Sequence, residues 1–295
     1  MKPLQQRRVL PAMSWRSAAA LLLAGALAGC AASDFTNNMP MAATEDAAEA
    51  GSPANIASLT EVVTRNPNDP QAYNMRGSVL GEARRYDEAL ADFNKAISLD
   101  PHYAQAFANR GLVHRQTGKL DQALADYNKA IAIDASYAVA YVGRGMVYRQ
   151  QGQLVPALRD FNKAIEIRPD SAQAYYHRGL LYQAQGQHQY AIDDFTTAIG
   201  LSQHNAAPFI ARGLSYLAVN DLKSATSDLD DAVLLDPQNI EAWTSRGLAY
   251  ERMKDKEKAA GSYARALNIR RDYDPAAQGF ARVGGQFGRS YQTFN

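Results

Sequence analysis

The chain has 295 residues, with 31 basic against 30 acidic side chains and a formal charge of +1. That balance supplies no basic stripe for a nucleic-acid backbone, so nucleic acid is not an expected partner. One cysteine in the whole chain excludes an internal disulfide framework.

The first thirty residues indicate where the chain works. Lys2, Arg7, Arg8 and Arg16 precede or open an apolar stretch over residues 18–27. It is too short to span a bilayer comfortably and reads as a secretory signal peptide over 1–29. Leu27-Ala28-Gly29-Cys30 follows. This tetrad resembles the bacterial lipobox, in which the cysteine thiol receives a diacylglyceryl group and a peptidase cuts just before it. The resemblance makes Cys30 the lipidation site; the alternative is an ordinary signal peptide with a chance cysteine. Two acyl chains and a third on the amine would anchor the chain stably. In the enteric sorting convention an Asp after the cysteine retains a lipoprotein at the inner membrane. Ala31 stands there instead, which favours the outer membrane, with the chain facing the periplasm. The signal takes four basic residues and no acidic ones, so the mature chain is slightly acidic.

Residues 30–53 carry the lipidated cysteine and a run of Ala, Thr, Ser, Asn and acidic residues without apolar period, the composition of a disordered tether. Over 54–69, Ile56, Leu59, Val62 and Val63 recur at helical spacing and Pro67 follows. A single capping helix ahead of the main array is predicted, aligned with the second half of a repeat.

Six glycines then stand 34 residues apart: Gly77, Gly111, Gly145, Gly179, Gly213 and Gly247. The spacing divides 70–273 into six units, 70–103, 104–137, 138–171, 172–205, 206–239 and 240–273. The fourth position is always aromatic (Tyr73, Phe107, Tyr141, Tyr175, Phe209, Trp243), and the twentieth and twenty-seventh are always alanine. The twenty-fourth is Phe93, Tyr127, Phe161, Phe195, Leu229 and Tyr263, and Pro101, Pro169 and Pro237 close three units. This pattern resembles the tetratricopeptide repeat (TPR). The resemblance implies an all-α, right-handed superhelix (α-solenoid) of six full repeats with N- and C-terminal capping helices. Gly and Ala let the two helices of a hairpin approach, and aromatics fill the space beside them.

One departure from the family pattern stands out. The seventh position, usually apolar, is Arg76, Arg110, Arg144, Arg178, Arg212 and Arg246; the twenty-third is Asp92, Asp126, Asp160, Asp194 and Asp228, then Ser262. Matched Arg and Asp on facing helices predict internal bidentate pairs. A ladder of arginines for an anionic ligand is the alternative. After the last unit, Asp274-Pro275 predicts a capping helix over 274–283, with Asp as N-cap. Gly284, Gly285 and Gly288 leave 284–295 as a flexible tail.

In arrays of this family the first helices line a concave wall, and the resemblance places the second, fifth, ninth, twelfth and thirteenth positions there. Clamps that grip a partner's C-terminal carboxylate carry Lys at the fifth position and Asn at the ninth; neither occurs here. The expected partner-binding groove is Ala108, Val142, Tyr176, Ile210 and Thr244 at the fifth position, with Arg115 and Arg149 at the twelfth. Tyr176 and Ile210 are expected to face the partner, while the ninth-position leucines pack between hairpins. Such a strip suits an amphipathic helix or an extended segment.

No catalytic, cofactor-binding or metal-ligating set emerges. The five histidines share no metal-ligand spacing, and Gly118-Lys119 lacks the other residues of a phosphate loop. The expectation is a non-enzymatic, membrane-anchored scaffold or adaptor that binds envelope proteins. It is similar to Nlp-type lipoproteins that bring peptidoglycan hydrolases to a periplasmic protease. Two alternatives stand beside it. One is an assembly factor similar to the pilotin-like lipoproteins of pilus and secretin systems. The other is a structural homo-oligomer whose tail, with Phe287, Tyr291 and Phe294, occupies a neighbour's groove.

Overall fold

The computed structural model describes residues 51–291. The signal peptide, Cys30, the tether up to residue 50 and the last four residues lie outside them. Every regular element among the described residues is an α-helix. A single helix, α1 (Pro53–Arg65), precedes six hairpins: α2 (Pro70–Glu82) with α3 (Tyr86–Leu99), α4 (Ala104–Gln116) with α5 (Leu120–Ile133), and α6 (Ala138–Gln150) with α7 (Leu154–Ile167). There follow α8 (Ala172–Ala184) with α9 (His188–Leu201), α10 (Ala206–Ala218) with α11 (Leu222–Leu235), and α12 (Ile240–Arg252) with α13 (Lys256–Ile269). A short helix, α14 (Asp274–Arg282), closes the series. The six units predicted from the 34-residue spacing are these six hairpins, and the fold is the expected TPR solenoid.

Local chemistry starts and stops each helix. Side chains of Ser52, Asp69, Ser171, Asn205 and Asn239 accept hydrogen bonds from backbone N–H groups in the first turn of the helix that follows, satisfying donors that have no intrahelical partner. The turn inside every hairpin passes through one left-handed residue, Gly118, Gly152 or Gly186 in three units and Arg84, Asn220 or Lys254 in the others. Glycine adopts that conformation without a Cβ penalty.

Small residues set how closely the two helices of a hairpin approach. All the alanines at the twentieth and twenty-seventh positions are fully buried. At the eighth position, a Cβ built on Gly145 would lie 2.7 Å from Phe161 Cε1, and one on Gly179 would lie 2.6 Å from Phe195 Cε1. The aromatic ring fills the space that the missing methyl leaves, in contact that admits nothing larger.

Between repeats the seventh-position arginines connect three helices. Arg144 Nε and Nη2 donate to both carboxylate oxygens of Asp160 at 2.8 Å, and its Nη1 donates to Asn128 Oδ1 at 2.7 Å. Asn128 belongs to α5, the second helix of the preceding unit. Arg110 and Arg178 repeat the arrangement with Asp126 and Asn94, and with Asp194 and Asn162. Arg212 uses Asp228 and Thr196; Arg76 uses Asp92 and Thr60 of α1. Thr60 therefore takes the place of a preceding second helix, which makes α1 half a repeat. The Arg144 guanidinium also lies 5.6 Å from the Tyr141 ring centre and 5.9 Å from that of Tyr148, close enough for cation–π attraction. Both oxygens of each aspartate are occupied by its own arginine, so this row is structural and is not a ladder awaiting a ligand.

The sixth unit solves the same problem differently. Arg246 Nη1 donates to Ser262 Oγ at 2.7 Å, and its Nε pairs with Asp230 of the preceding unit. The carboxylate absent from position 23 reappears at position 25 of the repeat before. Sequence spacing alone left this arginine without an acidic partner.

The caps depart from expectation in two places. Of the apolar residues in α1, Ile56, Leu59 and Val63 are buried, while Val62 faces solvent. At the other end, the residue capping α14 is Tyr273, and Asp274 is already helical. As far as it is described, the expected tail turns back toward the cap, with Phe287 still 80% exposed. Gly284 and Gly288 take positive φ and reverse the chain. Phe287 and Tyr291 then come within 5.0 and 5.8 Å of the Phe280 ring centre. Arg289 pairs with Glu257 at 3.0 Å.

Two predictions follow from these contacts. Gly145→Ala gains helix propensity of about 1 kcal/mol but overpacks Phe161 at a cost of about 1–3 kcal/mol, so thermal unfolding should move to lower temperature. Gly200→Ala, with open space around its Cβ, should move it upward; a drop for both would refute the close-approach account. In the ladder, Arg144→Ala leaves Asp160, only 3% exposed, without its cation and should cost about 3 kcal/mol or more. Asn128→Ala should cost about 1 kcal/mol. The double variant should be hardly worse than Arg144→Ala alone, because both remove the same cross-repeat bond. Strict additivity in a double-mutant cycle would show the two contacts to be independent.

Candidate functional site

Successive first helices (α2, α4, α6, α8, α10, α12) touch one another, whereas successive second helices do not do so to any extent. The first helices therefore line the inner side of the turn. Their exposed residues form the wall on which a partner can lie.

The structure buries the fifth position, which was expected to face a partner, and leaves the ninth only partly buried. Tyr176 and Ile210 are 4% and 2% exposed, and Ala108 and Val142 are buried as well. Thr244 is half-buried, and its hydroxyl donates to the Ile240 carbonyl at 2.7 Å. The fifth position lies in the seam between neighbouring first helices: Asn109 of α4 donates to Asn74 at the fifth position of α2, and Ile210 shares a core cluster with Ala242 and Trp243 of α12. Side chains there are consumed in joining repeats. Leu112, Leu180, Leu214 and Leu248 at the ninth position are partly exposed, Leu214 and Leu248 while packing between hairpins as expected, and Met146 is buried. The apolar row that meets solvent is thus one turn further along each helix than the sequence reading placed it.

The twelfth position lies beside that row. Gln183 shows where its head group goes, since Nε2 donates to the Ala211 carbonyl at 2.8 Å and to Ser215 Oγ at 2.9 Å, both on the next first helix. These are the sixth and tenth positions of the following unit. By the same register Arg149 is set against His177 and Leu181 of α8, and Arg115 against Gly143 and Val147 of α6. Arg115 also reaches the buried Tyr127 hydroxyl. The Nε of Arg115, the Nε of Arg149, the Tyr176 hydroxyl and His177 Nδ1 are all buried without a hydrogen-bond partner.

Electrostatics set the protonation states. Burial, then the charges of Arg149 and Arg115, hold His177 well below its usual range, so its imidazole is neutral at physiological pH. Burial raises the Tyr176 phenol, opposed by Arg149 and assisted by Glu241. The Tyr127 phenol is likewise pushed up to about 12 by burial. Burial lowers Arg149, with Arg115 acting in the same direction. The region therefore combines two guanidinium groups, phenol donors and a neutral imidazole.

His114 Nε2 lies 3.7 Å from Asp126 Oδ2 inside its own hairpin, the packing role its place in the repeat implies. Among the described residues no three His, Cys, Asp or Glu side chains gather as a metal site would require, and no helix is long and apolar enough to cross a membrane. Two features escaped the sequence reading. The Asn and Thr residues at position 25 recur 34 residues apart and were detectable in the sequence. The buried state of the fifth position was not, because it depends on the angle between neighbouring first helices.

Comparisons with known proteins agree with the geometry. Tetratricopeptide-repeat models match residues 70–103 and 172–205, a second TPR model matches 111–152 and 145–186, and a third matches 210–277. No functionally curated protein matches in sequence. Among solved structures, the APC/C hetero-tetramer Cut9–Hcn1 superposes with a TM-score of 0.72 at 20% identity over 80% of this chain, which spans 47% of that one. Pseudomonas aeruginosa pilF superposes with a TM-score of 0.66 at 17% identity, over 72% of this chain and 97% of its own. YrrB, described as a TPR protein with an unusual peptide-binding site, is 26% identical with a TM-score of 0.52, over 63% of this chain and 96% of its own. The chain belongs to the tetratricopeptide-repeat proteins, helical scaffolds that mediate protein–protein interaction.

Proposed function

We propose that the protein is an adaptor of the bacterial envelope, held to the outer membrane by lipid on Cys30 and facing the periplasm, which binds a segment of another envelope protein along its inner wall. The observation that carries the binding reading is the row of half-exposed leucines, Leu112, Leu180, Leu214 and Leu248, spaced by the repeat and accompanied by Arg115 and Arg149. A regularly spaced apolar row suits a helix or an extended strand that sets one side chain per repeat against it. Each square ångström of apolar surface covered contributes about 25 cal/mol, and the arginines add register and orientation. The peptide-binding site ascribed to the 26% identical YrrB supports a peptide segment as the class of ligand. Peptidoglycan hydrolases and the proteases that degrade them are the partners this reading favours. Phe287 and Tyr291 lie near Phe280 of their own cap, but Phe287 stays 80% exposed, so a tail that occupies a neighbouring copy stands as the alternative.

The anchor and the wall are tested separately. Wild-type protein should fractionate with membranes and Cys30→Ser with the soluble periplasm. A Cys30→Ser protein that remains membrane-bound and normally processed would refute the lipid anchor. For the wall, Leu180→Asp combined with Leu214→Asp alters two half-exposed side chains and spares the buried seam. Helicity should be unchanged, while affinity for the envelope partner falls at least about tenfold, or ~1.4 kcal/mol. Undiminished capture of every partner would move binding to the second helices or the loops.

A further inference from the structure

Among the described residues the arginines of the ladder and several at the surface are supplied with acceptors. Those of the ladder each hold a carboxylate, Arg252 donates to the Leu217 carbonyl at 2.8 Å, and Arg282 holds Glu251 at 2.8 Å. Arg115 and Arg149 are different. They occupy the same position in consecutive repeats, and each has a buried Nε without a hydrogen-bond partner; Arg115 reaches the Tyr127 hydroxyl, but neither forms an ion pair among the described residues. The Tyr176 hydroxyl and His177 Nδ1 join them as buried polar atoms without partners, and the two rings lie 5.2 Å apart. Four of the six such atoms among the described residues therefore lie on the successive first helices α4, α6 and α8, where the Arg149 charge acts on Tyr176 and His177 and the Arg115 charge on His177.

A buried guanidinium without an anion is unfavourable, and two that feel each other are more so. Folding does not need them: Gln183 fills the same position one repeat later with two good hydrogen bonds. A negatively charged group between the two side chains would relieve the strain, accepting from the planar forks of both and from the phenol. Glu241, whose charge reaches Tyr176, limits the negative charge that the place accommodates, which favours a singly charged group over a phosphate.

We propose that Arg115, Arg149 and the Tyr176 hydroxyl form an oxyanion pocket that grips one carboxylate of the bound segment, supplied by an acidic side chain or by the chain terminus. The leucine row takes the apolar side chains of the same segment, and the pocket sets its register and direction. The pocket lies at the twelfth position, apart from the fifth and ninth positions at which carboxylate clamps of this family place Lys and Asn. It rests on the reading of the inner wall as the binding face.

The test uses the mature, 15N-labelled chain and four probes: acetyl-Leu-Leu-Glu-amide, acetyl-Leu-Leu-Gln with a free terminus, acetyl-Leu-Leu-Gln-amide, and inorganic phosphate. At least one charged peptide should shift the Nε–H signals of Arg115 and Arg149 and bind at least about tenfold more tightly than the uncharged one, ~1.4 kcal/mol. Which charged peptide does so identifies the source of the carboxylate. Arg149→Met should abolish that preference while holding or raising the melting temperature without ligand, because an uncompensated buried charge has gone; Arg115→Gln gives an independent second variant. Equal binding of charged and uncharged peptides would overturn the pocket, as would a preference that survives both variants. Phosphate shifting both signals as strongly as either charged peptide would mark a free-anion site and overturn the partner carboxylate. Failure of the pocket remains distinct from failure of the adaptor: in the first case Leu180→Asp with Leu214→Asp still weakens peptide binding, and in the second it does not.

Discussion

Everything in this array hangs on the guanidinium at the seventh position of each repeat. Its three donors serve two helices other than its own, so one side chain closes a hairpin and fastens that hairpin to the one before. In most solenoids the contact between repeats is largely apolar and tolerates sliding. Here the fork of Arg144 meets Asp160 and Asn128 in fixed directions, and repetition of the same geometry ties the pitch from unit to unit. Such buried ion pairs add little net stability, since desolvation offsets most of the attraction. Their contribution is to register: a slipped neighbour would leave a buried carboxylate without its cation.

The regularity of that ladder makes its exception informative. In the last unit the acidic partner sits on the preceding repeat, and Arg246 is the most deeply buried arginine described. The charge count at the joint is preserved although the residue that supplies the charge has moved by one repeat. Balance at each joint, more than identity at each position, is what the fold requires. The same requirement makes Arg115 and Arg149 conspicuous, because at those joints the balance is absent.

How much could be read from the chain itself follows from the range of each interaction. Hairpins, their boundaries and the Arg–Asp pairs inside them depend on contacts 16 residues apart within one unit, and a 34-residue period displays them directly. The wall of the site depends on how neighbouring first helices meet, an angle that no single unit encodes. Tyr176 and Ile210 were therefore assigned to the surface and lie in the seam, while Leu180 and Leu214, assigned to the seam, keep part of their surface exposed even where Leu214 packs between hairpins. Both rows belong to the same face of the same helix. A rotation of the neighbour by a fraction of a turn decides which of them meets water. Three glycines signal the break in the helix, but not the ring contacts that Phe287 and Tyr291 make with Phe280.

These elements separate the molecule's two tasks. Gly, Ala and the aromatic rings set spacing within a hairpin, and the ladder sets spacing between hairpins. The ninth and twelfth positions take part in packing as well, as Leu214, Leu248, Leu217 and Gln183 do, but part of each row still faces the inner wall. Leucine recurs at the ninth; at the twelfth the chain runs Gly81, Arg115, Arg149, Gln183, Leu217 and Glu251, from cationic near the start to anionic near the end. The two cations of this row without ion pairs, Arg115 and Arg149, lie in its first half, and the Glu251 carboxylate is held by Arg282 and Tyr263. A bound segment lying on a uniform row of leucines could run in either direction or slip by one repeat. A pair of cations at one end of the row would distinguish the two directions, since like charges brought together cost what opposite charges gain. The uncompensated pair at its basic end is where that discrimination is concentrated, and its position on three consecutive repeats places it within reach of a segment that already covers Leu112 and Leu180.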